Sequence, residues 1–507
     1  MKPRFSTQRL ILSLLIILSL YSPSLHARRV YLFISKDDFN DAASSSPEHE
    51  PAVFDDPMRI PDPGSWSPLF DPDMNPEAVN GSYYAAVSEL MSAASKGNAR
   101  MMAGAAAEIE SAANDGDPHA QSVLAFLYGA GIMRERNEAK ALMYHHFATQ
   151  GGSFQSKMAL AYTYYRQGMY EKAAKLYAEI AKTGVKSFLT SKDSPVVEPI
   201  MIHDGAEEDK EVLMNFHGEE DESFKMLVKE AEEGNAGAMY RIGMIHLLGL
   251  RGLRVDHAKA LSWLSKAADK GEPESMYLLG EMYATGVVCV ERNYTKALEL
   301  LTLASEQHLY AAYDRMGYLY LNGYGVDKDY TKAIEYFQKA AENDGAGGHY
   351  NLGLMYLKGT GVKRNVQLAI KYFLIAANSG YDLAFYQLAK RFHTGVGLKK
   401  NLPMAAELYK LIAEYGPWNS LSRWGLESYI RGDVGKAFLL YSRMAEQGYE
   451  VAQSNAAWIL DKYGERSMCM GESRLCTDAE RHQRAHSLWQ QASKQGNEYA
   501  ASRIGDA

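Results

Sequence analysis

Small, aromatic and glycine positions recur along most of this chain in a fixed order. A small residue is followed three positions later by an aromatic one and six positions later by a glycine. Gly280/Tyr283/Gly286, Gly317/Tyr320/Gly323 and Gly353/Tyr356/Gly359 carry the pattern in full. Ala389/Phe392/Gly395, Gly243/His246/Gly249 and Ala125/Tyr128/Gly131 are variants of it. The anchors Gly243, Gly280, Gly317, Gly353 and Ala389 are spaced by 37, 37, 36 and 36 residues. A second pattern follows each anchor. Ala260, Ala297, Ala333, Ala369 and Ala406 are followed three positions on by Trp263, Leu300, Tyr336, Tyr372 and Tyr409, and seven on by Ala267, Ala304, Ala340, Ala376 and Ala413. Offsets of three and seven lie on one stripe of a helix.

The unit therefore reads as a helix hairpin. Its first helix carries a small residue where another helix must come close, with an aromatic one turn later filling the space beside it. The glycine six positions on can take a positive φ and end the helix. The second helix packs its alanine and aromatic stripe back. A single hairpin leaves apolar surface exposed, so neighbours must stack. A period of this length predicts an α-solenoid, an all-α fold that binds rather than catalyses. Gly243, Gly280, Gly317, Gly353, Ala389, Tyr283, Tyr320 and Tyr356 are the expected packing residues, with the tyrosines expected in the core.

Breaks in the pattern divide the chain. Residues 1–27 have a basic start (Lys2, Arg4, Arg9), an apolar run from Ile11 to Leu20 and small residues up to Ala27, which is the form of a secretory signal peptide. Residues 28–82 form a proline-rich linker; eight of the 16 prolines fall between Asp41 and Asn80 and prevent persistent helix or inner strand. N-terminal repeats are expected over 83–184, an acidic insert over 185–223 and central repeats over 224–416. The last region, 417–507, holds degenerate repeats with the final one incomplete.

Charge and chemistry narrow the function. The net charge of -8, from 54 basic and 62 acidic residues, lacks the basic footprint of a nucleic-acid binder. Asn80-Gly81-Ser82 and Asn293-Tyr294-Thr295 are glycosylation acceptors that suit a secretory compartment. Cys469 and Cys476 leave three readings open: a disulfide, free thiols, or a zinc site completed by His482 and His486. His145 and His146, adjacent on a helix, point to different sides. The Gly-x-Gly turns lack a phosphate-loop signature, and neither an HExxH zinc motif nor a GxSxG nucleophile elbow occurs. No catalytic residue and no cofactor is expected.

In its fullest form the repeat reads Ala-x-x-x-Leu-Gly-x-x-Tyr-x-x-Gly, then Lys-Ala-x-x-Tyr-x-x-Ala-Ala, and Gly317 to Ala341 carry it almost throughout. It resembles the Sel-1-like repeat, a relative of the tetratricopeptide repeat, whose period of about 34 residues is shorter. The resemblance covers roughly residues 120–496 apart from the insert. Together with the leader, the proline-rich lead-in and the acceptors, it is similar to the lumenal HRD-three (Sel-1-like) family of endoplasmic-reticulum ubiquitin-ligase subunits. That likeness implies a non-catalytic adaptor of ER-associated degradation in the ER lumen. Its implied partners are a membrane RING ubiquitin ligase, an ER lectin and misfolded glycoprotein clients. The further repeats and C-terminal membrane helix usual in that family are not found in this sequence. Two other readings stay open: a shortened, inactive paralogue without its membrane anchor, and a secreted hydrolase decorated with repeats.

Overall fold

A computed structural model describes residues 32, 38–39, 82–188, 201–203, 222–248, 253, 256–286, 290–343, 345–414, 420–463 and 477–505. The expected signal peptide, most of the linker and of the acidic clusters, Asn80 and all three cysteines lie outside them. The described residues form 22 α-helices and no strand. An N-terminal block comprises α1 (Ser82–Ser95), α2 (Ala99–Asn114), α3 (Pro118–Ala130), α4 (Glu138–Gln150), α5 (Phe154–Arg166) and α6 (Tyr170–Phe188). The central array runs through α7 (Glu222–Glu232), α8 (Ala236–Leu248), α9 (His257–Asp269), α10 (Pro273–Thr285), α11 (Tyr294–Glu306) and α12 (Ala311–Asn322). It continues through α13 (Tyr330–Glu342), α14 (Ala346–Lys358), α15 (Val366–Asn378), α16 (Asp382–Thr394) and α17 (Leu402–Glu414). A C-terminal block holds α18 (Ser420–Ile430), α19 (Val434–Glu446), α20 (Glu450–Lys462), α21 (Asp478–Lys494) and α22 (Glu498–Gly505). No helix of the described residues is long and apolar enough to cross a membrane.

Local chemistry sets these boundaries. Second helices open on an Asn or Asp whose side chain accepts a backbone N–H three positions on, as Asn293 does from Lys296 at 3.0 Å and Asn365 from Leu368 at 3.0 Å. Such a cap satisfies one of the helix's orphan donors, worth about 1 kcal/mol. First helices end in left-handed glycines, for example Gly323 at φ 74° and Gly359 at φ 75°. Within a hairpin the anchor is a close approach. A Cβ on Gly317 would sit 2.7 Å from Phe337 Cε1, and one on Gly353 would sit 2.7 Å from Phe373 Cε1.

The motif tyrosines differ from their expected core position. Tyr283, Tyr320 and Tyr356 are only half-buried. Tyr320 stacks on Tyr336 (ring centroids 5.5 Å apart) and Tyr356 on Tyr372 (5.7 Å), bridging the two helices of one hairpin at its rim. The lysine of the Lys-Ala pair lies above the ring: Lys296 Nζ is 4.2 Å from the Tyr283 centroid and Lys332 Nζ 5.2 Å from that of Tyr320. The pair thus divides its roles. Alanine backs onto the helix contact, and lysine covers the aromatic face with its charge in water.

Stacking follows chain order through the central array and then departs from it. Helix α6 does not continue onto α7; it lies along α17, at the opposite end of the array. Both helices carry buried small residues with a tyrosine: Ala173, Ala174, Tyr177 and Ala181 on α6, and Ala405, Ala406, Tyr409 and Ala413 on α17, Tyr409 itself contacting Tyr386 and His393 of its own hairpin. Small side chains let two helices approach closely over their full length. The C-terminal block then covers the N-terminal one, with α19 touching α1 and α3. As a result α19 is buried all round, Phe438, Leu439, Leu440 and Tyr441 each being 3% exposed or less. A helix apolar on every side requires such a central position.

Candidate interaction faces

In the central array the first helices of successive repeats touch one another, α10 with α12 and α12 with α14, whereas second helices stay further apart. The first helices therefore line the inner side of the curve. A polar ladder runs across them. Arg315 pairs with Glu281 and donates from Nε to the Tyr277 hydroxyl at 3.4 Å. Asn351 donates from Nδ2 to Asp314 Oδ1 at 2.7 Å, linking α14 to α12. Gly347 makes room, because a Cβ there would stand 2.5 Å from Asp314 Oδ2. Tyr350 packs on Tyr381, with ring centroids 5.0 Å apart.

The ladder is electrostatically strained. Burial pushes the Asp314 carboxyl up, partly opposed by Arg315 and by the Asn351 hydrogen bond. Burial pushes Asp382 up to about 6 and the Tyr350 hydroxyl up to about 12. Asp314, Tyr350 and Asn351 are buried, whereas Tyr277, Glu281, Arg315 and Tyr381 are half-buried; tyrosine and arginine are among the side chains that most often anchor protein recognition. Sequence reasoning missed this ladder. A signal was present two positions before four of the five central anchors, where Arg241, Arg315, Asn351 and Gln387 are polar; before Gly280 the same position is Leu278.

A second polar cluster joins the N- and C-terminal blocks. His145 on α4 has Nδ1 3.0 Å from Ser156 Oγ and Nε2 3.0 Å from Glu446 Oε1 on α19. Ser156 Oγ lies 2.8 Å from Ser122 Oγ, and Arg443 closes the ring by donating to Ser122 and, at 2.8 Å, to Glu446 Oε2. Burial pushes the Glu446 carboxyl up, but His145 and Arg443 outweigh it and hold it below its ordinary value. Arg484 of α21, pushed down to about 10 by burial and by Arg136, reaches the Ala130 carbonyl beside the ring. Serine, histidine and glutamate are the parts of a nucleophilic triad. Here Ser156 is 0% exposed, so its hydroxyl meets no substrate. The ring ties two blocks together.

Other residues singled out in the sequence fall as follows. Asn293 is exposed; its side-chain oxygen caps α11, leaving the amide nitrogen, the atom that a glycan would take, outside the cap. His146 Nε2 lies 2.9 Å from the Tyr164 hydroxyl, well apart in role from His145. His482 Nδ1 lies 3.3 Å from Asp461 Oδ1, while His486 Nε2 is 2.9 Å from Gln490 Nε2, its neighbour one turn on. The two histidines face different partners, and no group of three or more metal-ligating side chains is found among the described residues.

Comparison with known proteins agrees with this architecture. The Sel1 repeat model matches residues 118–153, 236–272, 273–309, 311–345, 346–381, 383–416, 421–449 and 478–497. The ERAD-associated E3 ubiquitin-protein ligase component HRD3B of Arabidopsis thaliana is 52% identical over 514 residues, covering 99% of this chain and 78% of that protein. The corresponding component HRD3A is 58% identical over 505 residues, covering 98% and 74%. Human protein sel-1 homolog 2 is 49% identical over 402 residues, covering 78% of this chain and 56% of the homolog. The anchors, the hairpin geometry and these near full-length identities place the chain in the Sel1 repeat family, among the HRD3 and sel-1 proteins.

Proposed function

We propose that this chain is a non-catalytic scaffold of an ER-associated degradation ubiquitin ligase, acting in the ER lumen. The observation that carries this reading is the identity of 52% and 58% to two ERAD ligase components over 99% and 98% of the chain. The geometry supports a binding role. Stacked hairpins fix the inner ladder before any partner arrives, so little ordering entropy is lost on binding. Tyr277, Glu281, Arg315 and Tyr381 present hydrogen-bonding aromatic and charged groups on that wall. Its partners in this reading are a membrane RING ubiquitin ligase, an ER lectin and misfolded glycoproteins.

The test is affinity capture of the chain, tagged after its expected signal sequence, from detergent-solubilised ER, followed by mass spectrometry. The reading expects recovery of the RING ligase with a glycan-binding lectin. Recovery of chaperones alone from a well-expressed sample would overturn it in favour of an inactive paralogue.

A further inference from the structure

A segment near the start of the chain is seated on the central array at two points. Leu32 N–H donates to Asn378 Oδ1 at 2.8 Å, and Asn378 Nδ2 donates back to the Leu32 carbonyl at 3.1 Å. Lys399 N–H donates to the Asp38 carbonyl at 2.7 Å, and Phe39 pairs with Leu398 in an isolated antiparallel bridge. Asn378 ends α15 and Leu398 follows α16, so the two points lie at opposite ends of α16. Leu32 is buried and Phe39 half-buried, both in the apolar cluster that includes Leu398.

Asn378 is chemically suited to this task. A primary amide both accepts and donates, so it satisfies the N–H and the C=O of one passing residue; a carboxylate can only accept. The equivalent position in the three preceding repeats, two residues after Ala267, Ala304 and Ala340, holds Asp269, Glu306 and Glu342. Only this repeat of the four carries the two-way clamp. Main-chain hydrogen bonds with two side-chain seats are how grooves hold short linear peptides.

We propose that Asn378 and the Leu398–Lys399 edge form a peptide-binding track for a linear segment with a leucine and an aromatic residue seven positions apart. In this chain the track is filled by its own Leu32 and Phe39. The described residues of the occupant, Leu32, Asp38 and Phe39, are held by hydrogen bonds and apolar packing, so a partner's segment competes with them against the effective concentration of the tether. The track uses none of the inner-ladder side chains named above and stands independently of the ligase reading.

The experiment uses the full chain and a fluorescent peptide of residues 30–41, followed by anisotropy. A double substitution, Leu32→Asp with Phe39→Asp, empties the track. It is expected to bind the peptide at least tenfold more tightly than the unmodified chain, and adding Asn378→Asp is expected to abolish that gain. Equal affinity with and without the double substitution, or a gain that Asn378→Asp leaves intact, would overturn the proposal. Hydrogen exchange on the unmodified chain gives a second readout that needs no variant. Excess peptide should speed exchange at the Leu32 amide while the Lys399 amide stays protected. An unchanged Leu32 amide under saturating peptide would count against displacement and hence against the proposal.

Discussion

Gly353 shows how much of a hairpin rests on one missing carbon. The Phe373 ring occupies the space a Cβ would need, at 2.7 Å, so Gly353→Leu must push the two helices apart. Overpacking of this kind costs about 1–3 kcal/mol, and thermal unfolding should record it as a lowered Tm; an unchanged Tm would remove the packing role. Asp382 is set against its surroundings. It stands in the first turn of α16, where the helix dipole favours a negative charge, yet burial pushes its carboxyl up to about 6 from an ordinary 3.8. The folded state therefore binds more protons than the unfolded chain between those two values. Its charged form is penalised above about 6, and that penalty fades as pH falls toward about 4. Asp382→Asn should accordingly stabilise the protein at pH 7.5, by about 1 kcal/mol once partial exposure is allowed for, and lose the advantage near pH 4. A stability difference independent of pH would contradict this account. Of the two positions only the anchor glycine was legible, from its repetition; the raised carboxyl was not, since burial of a helix start depends on the neighbouring repeat.

At the scale of elements, the sequence pattern carried most of the information for the central array. Periodic alanines, capping Asn and Asp residues and terminal glycines each act within a single hairpin, so they read directly from spacing. What remained hidden was the second surface of α19 and α20. Their dense apolar content looked like a loosened repeat, because a repeat helix needs only one stripe. Phe438, Leu439, Leu440 and Tyr441 are apolar on every side because another block covers them. The ring of His145, Ser156, Ser122, Arg443 and Glu446 belongs to the same interface, and its hydrogen-bonded pairs are separated by up to 321 positions along the chain. A double-mutant cycle tests whether it acts as a unit. His145→Gln and Glu446→Gln should be non-additive by about 1–3 kcal/mol in chemical denaturation. Additivity within about 0.3 kcal/mol would mean that the two blocks do not meet through this ring.

For the whole molecule the central claim is that the repeats do not stack simply in chain order. The N-terminal block leaves α6, bypasses the start of the central array and docks on its far end, with the C-terminal block covering the result. Repeat periodicity encodes how a hairpin closes, not which hairpin it meets, so this order was invisible in the sequence; the long insert between α6 and α7 was its one trace. The junction frames a cleft of about 980 Å³ lined by Lys172 and Lys175 from α6 and by Lys400 from the loop before α17. Lysine-reactive cross-linking of the monomer with mass spectrometry reads this arrangement directly. The account predicts links from Lys172 or Lys175 to Lys400. Absence of those links, with Lys172 and Lys175 joined instead to Lys225 and Lys229 of α7, would show a solenoid stacked in chain order and contradict it.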